Sequence, residues 1–408
     1  MAVPDVFSAV GLGPVRLRNR VVKAATFEGR TPDGVVTDEL VDFHATVARG
    51  GAAMTTVAYL AVSPEGRTHA AQVQLREESL EGLRRLTDAV HGAGGAVAAQ
   101  VGHAGPVANG RSNGARALSA TAMPSPLSMQ MVRRAGEADL TRITHDYVRG
   151  ARLAVRAGFD ALELHLGHGY LLSSFLSPLT NRRTDARGGS LAHRASYPRE
   201  VVRAVRDEVG DEVAVYAKLG MTDGVRGGLG VDEALDVASM LEDDGCLDAL
   251  QLTAGSSLLN PMYLFRGGAP LRELTAQMPF PVRWGMRTVG RGFLKEYPYE
   301  ELFLLPHARR FRERLSLPLM LLGGISTRAS LDRAMAEGFA YAVMGRALLR
   351  EPDLVDRMRT EGLTRSTCIH CNRCMPTIYT GTRCVLDDPE QLRLTTRPAR
   401  PGQQGARA

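Results

Sequence analysis

The stretch Phe159–Ser190, FDALELHLGHGYLLSSFLSPLTNRRTDARGGS, decides the fold. Asp160 to Leu164 reads as a short buried strand. His165, His168 and Tyr170 follow in quick succession, and then a long polar loop with Asn181, Arg183, Asp185 and the Gly188–Gly189 turn. Side chains just past the carboxyl end of a parallel strand face the crevice where α/β proteins bind ligands. The run therefore predicts both a parallel sheet and the end of that sheet that carries chemistry.

Working outward, the chain holds seven more short apolar runs bounded by polar or glycine turns, making eight with Asp160 to His165. The others are Val21 to Ala25, Ala53 to Ala58, Ala96 to Val101, Val213 to Leu219, Ala249 to Thr253, Leu319 to Leu322 and Tyr341 to Met344. Helical patterns lie between most of them. Thr141 to Ala157, for example, places Ile143, Tyr147, Val148, Ala151, Ala154 and Val155 on one face and stops at Gly158. Eight strands alternating with helices predict an α/β chain folded as a TIM (β/α)8 barrel rather than an open doubly wound sheet. No G-x-G-x-x-G follows the first strand, which also counts against a Rossmann domain. The expected organisation is a barrel over 1–363 with an extended loop and helix region after strand six (255–315), a cysteine segment over 364–386 and a disordered tail over 387–408.

Composition excludes several classes. The chain has 408 residues, 44% of them hydrophobic, and a net charge of +6, enough for one large core. The positive charge is scattered arginine, with Lys23, Lys218 and Lys295 the only lysines and no aromatic-interleaved basic run, so no nucleic-acid partner is expected. The start, MAVPDVFSAVGLG, lacks the basic and apolar regions of an export signal, and no apolar run reaches membrane-spanning length. A cytoplasmic protein is expected. Four of the five cysteines are packed between Cys368 and Cys384, which points to metal or redox chemistry rather than disulfides.

The residue types at the strand ends suggest a polar ligand. H-x-x-H at 165 and 168 could hold a metal, but no H-E-x-x-H or third ligand accompanies it. Two neutral imidazoles can instead donate to one developing oxyanion, with the Tyr170 phenol able to give a proton. Ala24, Ala25 and Thr26 are small enough for a flat ring to lie against the backbone, or simply pack the barrel. Gln100 can pair with a heterocycle edge, while His103 reads as a core or neighbouring histidine. Lys218 stands inside an apolar strand, so it faces an anion or pairs with a core carboxylate such as Glu163. Gly323, Gly324 and Gly345, opening onto helices after strands seven and eight, form a phosphate-binding pattern to which Arg346 adds a planar fork.

These motifs resemble the Old Yellow Enzyme family of FMN-dependent oxidoreductases, including its 2,4-dienoyl-CoA reductase and trimethylamine dehydrogenase branch. The resemblance rests on H-x-x-H-G-Y-L and F-L-S-P-L-x-N-x-R-T-D-x-x-G-G-S and runs from Pro4 to Cys384. It implies FMN against Ala24, Ala25 and Thr26, with Gln100 and Lys218 on its pyrimidine and Gly323, Gly324, Gly345 and Arg346 on its phosphate. It implies that His165 and His168 grip a substrate carbonyl oxygen and that Tyr170 protonates the α-carbon. Phe27 stands where relatives often carry a small or polar residue or a cysteine that tunes the flavin or the substrate fit. Pro106 replaces a usual arginine.

In that branch a C-I-x-C-N-x-C run like Cys368, Cys371 and Cys374, closed by a fourth cysteine here matched by Cys384, holds a [4Fe-4S] cluster. The gap to Cys384 is shorter than in relatives, and a zinc knuckle or a vestigial loop also fits the count. The chain ends about two dozen residues later, so the second flavin domain of those relatives is expected to be absent. Either NAD(P)H reduces FMN directly or a separate electron-donor protein does. The expected activity is reduction of an enone, enal or enoyl C=C bond by a homo-oligomer. Amine dehydrogenation and an electron-transfer subunit of a larger complex are the alternatives.

Overall fold

All eight apolar runs form strands, and the strands close into one parallel barrel in which each pairs with the next and the eighth with the first. They are β1 (Val21–Lys23), β2 (Met54–Ala61), β3 (Ala96–Gly102), β4 (Ala161–Leu166), β5 (Ala214–Gly220), β6 (Ala249–Thr253), β7 (Leu319–Leu322) and β8 (Tyr341–Met344). This computed structural model describes residues 3–125, 128–276, 283–285, 290, 292 and 294–387. The expected tail lies almost wholly outside the described residues, as does part of the expected loop region after strand six.

Helices α1 (Asp38–Arg49), α2 (Leu80–Gly92), α3 (Glu137–Arg156), α4 (Leu191–Val209), α5 (Val231–Asp243), α6 (Leu305–Arg314) and α7 (Arg328–Ala336) connect successive strands. Helix α3 buries Ile143, Tyr147, Ala151 and Ala154 as its periodicity predicts. It starts four residues earlier than expected, because the Asp139 carboxylate accepts the Gly136 amide at 2.9 Å and adds a polar first turn that apolar periodicity cannot register. Gly158 follows it at φ +88.

Large aliphatic side chains fill the space between barrel and helices. The inside of the barrel is different. Its floor is packed with Ala98, Ala161, Ala214, Ala249, Tyr216, Tyr341 and Met320. A hairpin, Val10–Leu12 paired antiparallel with Val15–Leu17, buries Leu12 and Leu17 against the same cluster, and Tyr341 Oη donates to Gly11 O. The amino-terminal end is thereby sealed, which leaves the carboxyl ends of the strands as the ligand face. Among the described residues no helix is long and apolar enough to cross a membrane.

Candidate active site

The carboxyl end of β4 brings together the histidines and the tyrosine. The His165 and His168 rings stand 4.9 Å apart, and His165 stands 4.6 Å from Tyr170. His168 takes a left-handed backbone, φ +61, and Gly169 follows at φ +77. A histidine at positive φ is uncommon and strained, so tertiary contacts must hold it. They come from the loop after β6: the Ser257 amide donates to His168 O at 2.9 Å, and a Cβ at Gly169 would meet Ser256 Oγ at 2.7 Å. On the side-chain side, His168 Nε2 bonds Thr253 Oγ1 at 2.9 Å. Sequence reading missed Thr253, whose signal was its place as the last residue of β6.

Burial, then the nearby charges of His168 and Lys218, holds the His165 pKa well below the usual imidazole range. Burial and Lys218 bring His168 down to about 3. Both rings are therefore neutral, each with one N–H to give and one nitrogen to accept. His165 Nδ1 is buried with no partner among the described residues. His44, buried against Thr55, is depressed by burial in the same way. An unfolded imidazole titrates near about pH 6.5. Below that value the unfolded chain binds protons that the folded rings refuse, so stability falls as pH drops from about 6.5 toward 3. The urea midpoint should decline across that window. His44→Gln should flatten the slope, and an unchanged slope would contradict this account.

The groups expected beside a flavin line the same end. Ala24 continues β1 by donating its amide to Met344 O at 2.8 Å, and a Cβ at Gly345 would meet nothing closer than Ala24 Cβ at 3.9 Å, so there is room beside these backbones. Ala25 and Thr26 follow, and half-buried Phe27 stands edge-on to His69 at 5.5 Å. Gly323 and Gly324 leave β7 at φ +106 and +76; a Cβ on them would strike the Leu304 side chain and Glu300 O, each at 2.6 Å. Only glycine fits there. The helix after Gly345, Arg346–Arg350, has five residues. Backbone amides and Arg346 rather than a long helix dipole are what this end offers an anion.

Two basic groups have protein partners that sequence could not settle. Lys218, 2% exposed, pairs with Glu163 at 2.7 Å. Arg346 Nη1 donates to Arg266 O at 3.0 Å, to Phe265 O at 3.4 Å and to Asn372 Oδ1. One nitrogen of the Arg346 fork thus ties the cysteine segment to the loop after β6. Sequence reading also missed Lys23, which is fully buried, donates to Ala24 O at 2.8 Å and Thr26 Oγ1 at 2.7 Å, and lies 3.8 Å from Glu28. His103 is a core histidine whose Nδ1 accepts the Gly105 amide at 2.9 Å.

The cysteine segment packs onto this mouth. The Thr382 amide donates to Glu28 O at 2.7 Å, Asn372 Nδ2 donates to Gly268 O at 2.9 Å, and the His370 ring stacks on Tyr299 at 3.3 Å. Cys368, Cys371, Cys374 and Cys384 are free thiols. Burial raises the pKa of Cys368 and Cys384 and takes Cys374 up to about 12, with the neighbouring cysteines adding to each. Among the described residues no three ligand-type side chains converge to hold a single metal ion.

The closed barrel is matched by the comparisons. Residues 5–252 match the NADH:flavin oxidoreductase / NADH oxidase family, and the chain belongs to it: an FMN-dependent oxidoreductase related to Old Yellow Enzyme. In sequence it is 55% identical over 394 residues to the 4,4'-dithiodibutanoate disulfide reductase of Rhodococcus erythropolis, covering 97% of this chain and 98% of that protein. In fold it is similar to 2-naphthoyl-CoA reductase bound to 2-naphthoyl-CoA, with TM-score 0.78 and 23% identity over 93% of this chain and 56% of that one. It is also similar to the Old Yellow Enzyme homologue of Zymomonas mobilis, with TM-score 0.71 and 22% identity over 95% of this chain and 98% of that one.

Proposed function

We propose that this protein uses NAD(P)H to reduce the sulfur–sulfur bond of a small organic disulfide bearing carboxylates. The observation that carries this reading is the 55% identity, over nearly the full length of both chains, to a reductase of such a compound. The reaction balances as NAD(P)H + H+ + RS–SR giving NAD(P)+ and two RSH. FMN would be held by Gln100 and Lys218 at its pyrimidine edge, by Ala24, Ala25 and Thr26 along its ring, and by Gly323, Gly324, Gly345 and Arg346 at its phosphate. When bound it supplies a hydride donor. The protein supplies the rest: Phe27 borders the entrance, neutral His165 and His168 give N–H donors to the sulfur that departs as thiolate, and Tyr170 Oη is a proton source beside it.

A second reading is favoured by the site itself. Two neutral N–H donors with a phenol beside them also suit the enolate of an α,β-unsaturated carbonyl, the ene reduction that the motifs imply. Tyr170→Phe separates the two. A thiolate leaves a disulfide without needing an acid, whereas an enolate carbon must be protonated within the turnover. Under the disulfide reading Tyr170→Phe should lower kcat by less than about threefold with 4,4'-dithiodibutanoate; an enone, if turned over at all, should lose about 10²-fold or more. Anaerobic assays with each substrate and with NADH or NADPH decide it. Turnover of the enone but not the disulfide by the unaltered protein would reject the first reading.

We propose further that Cys368, Cys371, Cys374 and Cys384 hold a [4Fe-4S] cluster. The C-x2-C-x2-C spacing of Cys368, Cys371 and Cys374, with Cys384 further on, supports this. Anaerobically prepared protein should carry about four irons per chain with broad visible absorption, lost in Cys371→Ser. Iron absent from both preparations would reject the cluster and leave direct reduction by NAD(P)H as the electron route.

A further inference from the structure

One acidic side chain inside the barrel contacts both groups assigned above to the flavin pyrimidine. Glu163 is wholly buried on β4, two residues nearer the barrel floor than His165. Its carboxylate lies 2.7 Å from Lys218 Nζ on β5 and accepts from Gln100 Nε2 on β3. Gln251 on β6, with its carboxamide oxygen turned toward Lys218, accepts from Nζ at 3.0 Å and donates to Glu163 Oε2 at 3.3 Å. Strand register produces this cluster, since Gln100 stands opposite Glu163 and Lys218 opposite Gln251. None of these contacts involves a residue of the histidine and tyrosine set.

We propose that Glu163 is a positioning residue for FMN, presenting Lys218 and Gln100 to the ring and offsetting the Lys218 charge there. This rests on the reading that FMN occupies this mouth. Donor and acceptor counts direct the argument. An ammonium has three N–H donors, and Glu163 and Gln251 take two, leaving one for the N1–C2 carbonyl edge. The Nε2 group of Gln100 donates to Glu163, which leaves Oε1 to accept the ring N3–H. Without the carboxylate, Gln100 loses the partner that fixes its orientation, Lys218 keeps only Gln251, and a buried cation loses its counter-charge. The same carboxylate sits next to the charge that would stabilise the anionic reduced ring, FMN + 2e⁻ + H⁺ giving FMNH⁻. Its presence holds the potential lower than Lys218 alone would set it.

The test is the two-electron midpoint potential of the FMN-loaded protein, measured against reference dyes in Glu163→Gln, Lys218→Met and the double variant. Glu163→Gln should bind reduced over oxidised FMN about tenfold more favourably, a rise of about 30 mV. In the Lys218→Met background the same change should produce no rise, because a wholly buried carboxyl left without its ammonium partner is held neutral and has no charge to remove. A merely structural role would shift both backgrounds alike, and equal shifts, or none in either, overturn the proposal. Should Glu163→Gln fail to hold FMN, Glu163→Asp decides: retained FMN near the unaltered potential supports the role, and loss of FMN there too overturns it. An unaltered chain that takes up no FMN would instead sink the cofactor reading, and this proposal with it.

Discussion

Replacing His168 with alanine is expected to lower kcat/KM about 10²–10³-fold while FMN stays bound. That is the usual cost of removing one preorganised donor from a site where negative charge develops. The pair is preorganised by contacts seen directly: Thr253 holds the His168 ring at 2.9 Å, and Ser257 holds its carbonyl at 2.9 Å. Both rings are kept neutral by burial, so each gives its N–H without carrying a charge that would compete for a substrate anion. His168→Asn provides the control. Asparagine tolerates the left-handed backbone at φ +61 and keeps an N–H donor, so it should retain activity within about tenfold, whereas alanine loses the donor and adds backbone strain. His165→Ala should match His168→Ala in size, because its Nδ1 is buried with no partner among the described residues. Equal loss in His168→Asn and His168→Ala would mean that an N–H donor at this position is not what matters. Steady-state kinetics with flavin content measured on the same samples reads both.

The largest effect on stability is expected at Arg183. Its side chain is 1% exposed and bonds Asp185 through both Nε, at 2.9 Å, and Nη2, at 2.8 Å. Nη1 donates to Ala135 O at 2.6 Å and Ala120 O at 3.2 Å. Arg183→Met removes the donors of two buried carbonyls, each costing about 1–3 kcal/mol when left unsatisfied. A loss of about 3 kcal/mol in urea unfolding is therefore expected, with little change in the urea dependence. The clasp has a pH signature. Arg183 first, with the Arg187 amide and Arg134 adding, brings the Asp185 pKa down to about 2. The unfolded carboxyl titrates near about 3.9, so the stabilisation is complete above that value and is lost as pH falls toward 2. A change below about 1 kcal/mol in Arg183→Met would show that this loop is held by something else.

The barrel was legible because its signal is local. A run such as Ala96 to Val101 that is buried on both faces must be a central parallel strand, and eight of them alternating with amphipathic helices admit few arrangements. The start of α3 was not legible, since a capping carboxylate at Asp139 lies outside the apolar period. Nor was the left-handed backbone of His168. Nothing about a histidine announces positive φ, and here Ser256 and Ser257, some ninety residues away, impose it.

The same division runs through the site. Sequence by itself determined which residues lie at the strand ends, because strand position follows from pattern and a parallel strand's carboxyl end faces the ligand. His165, His168, Gln100, Lys218 and the Gly323–Gly324 turn were found in that way. Which partner each one takes was decided only by the tertiary structure. For Lys218 the residues left a ligand and Glu163 both open, and the pairing at 2.7 Å, with Gln251 completing it, depends on the stagger of three strands. For Arg346 no pattern pointed to Asn372, 26 residues further on, because that contact exists only once the cysteine segment folds back over the mouth. Hydrophobic periodicity encodes which face of an element is buried, but the meeting of two buried polar groups depends on register and closure, and those are properties of the whole barrel.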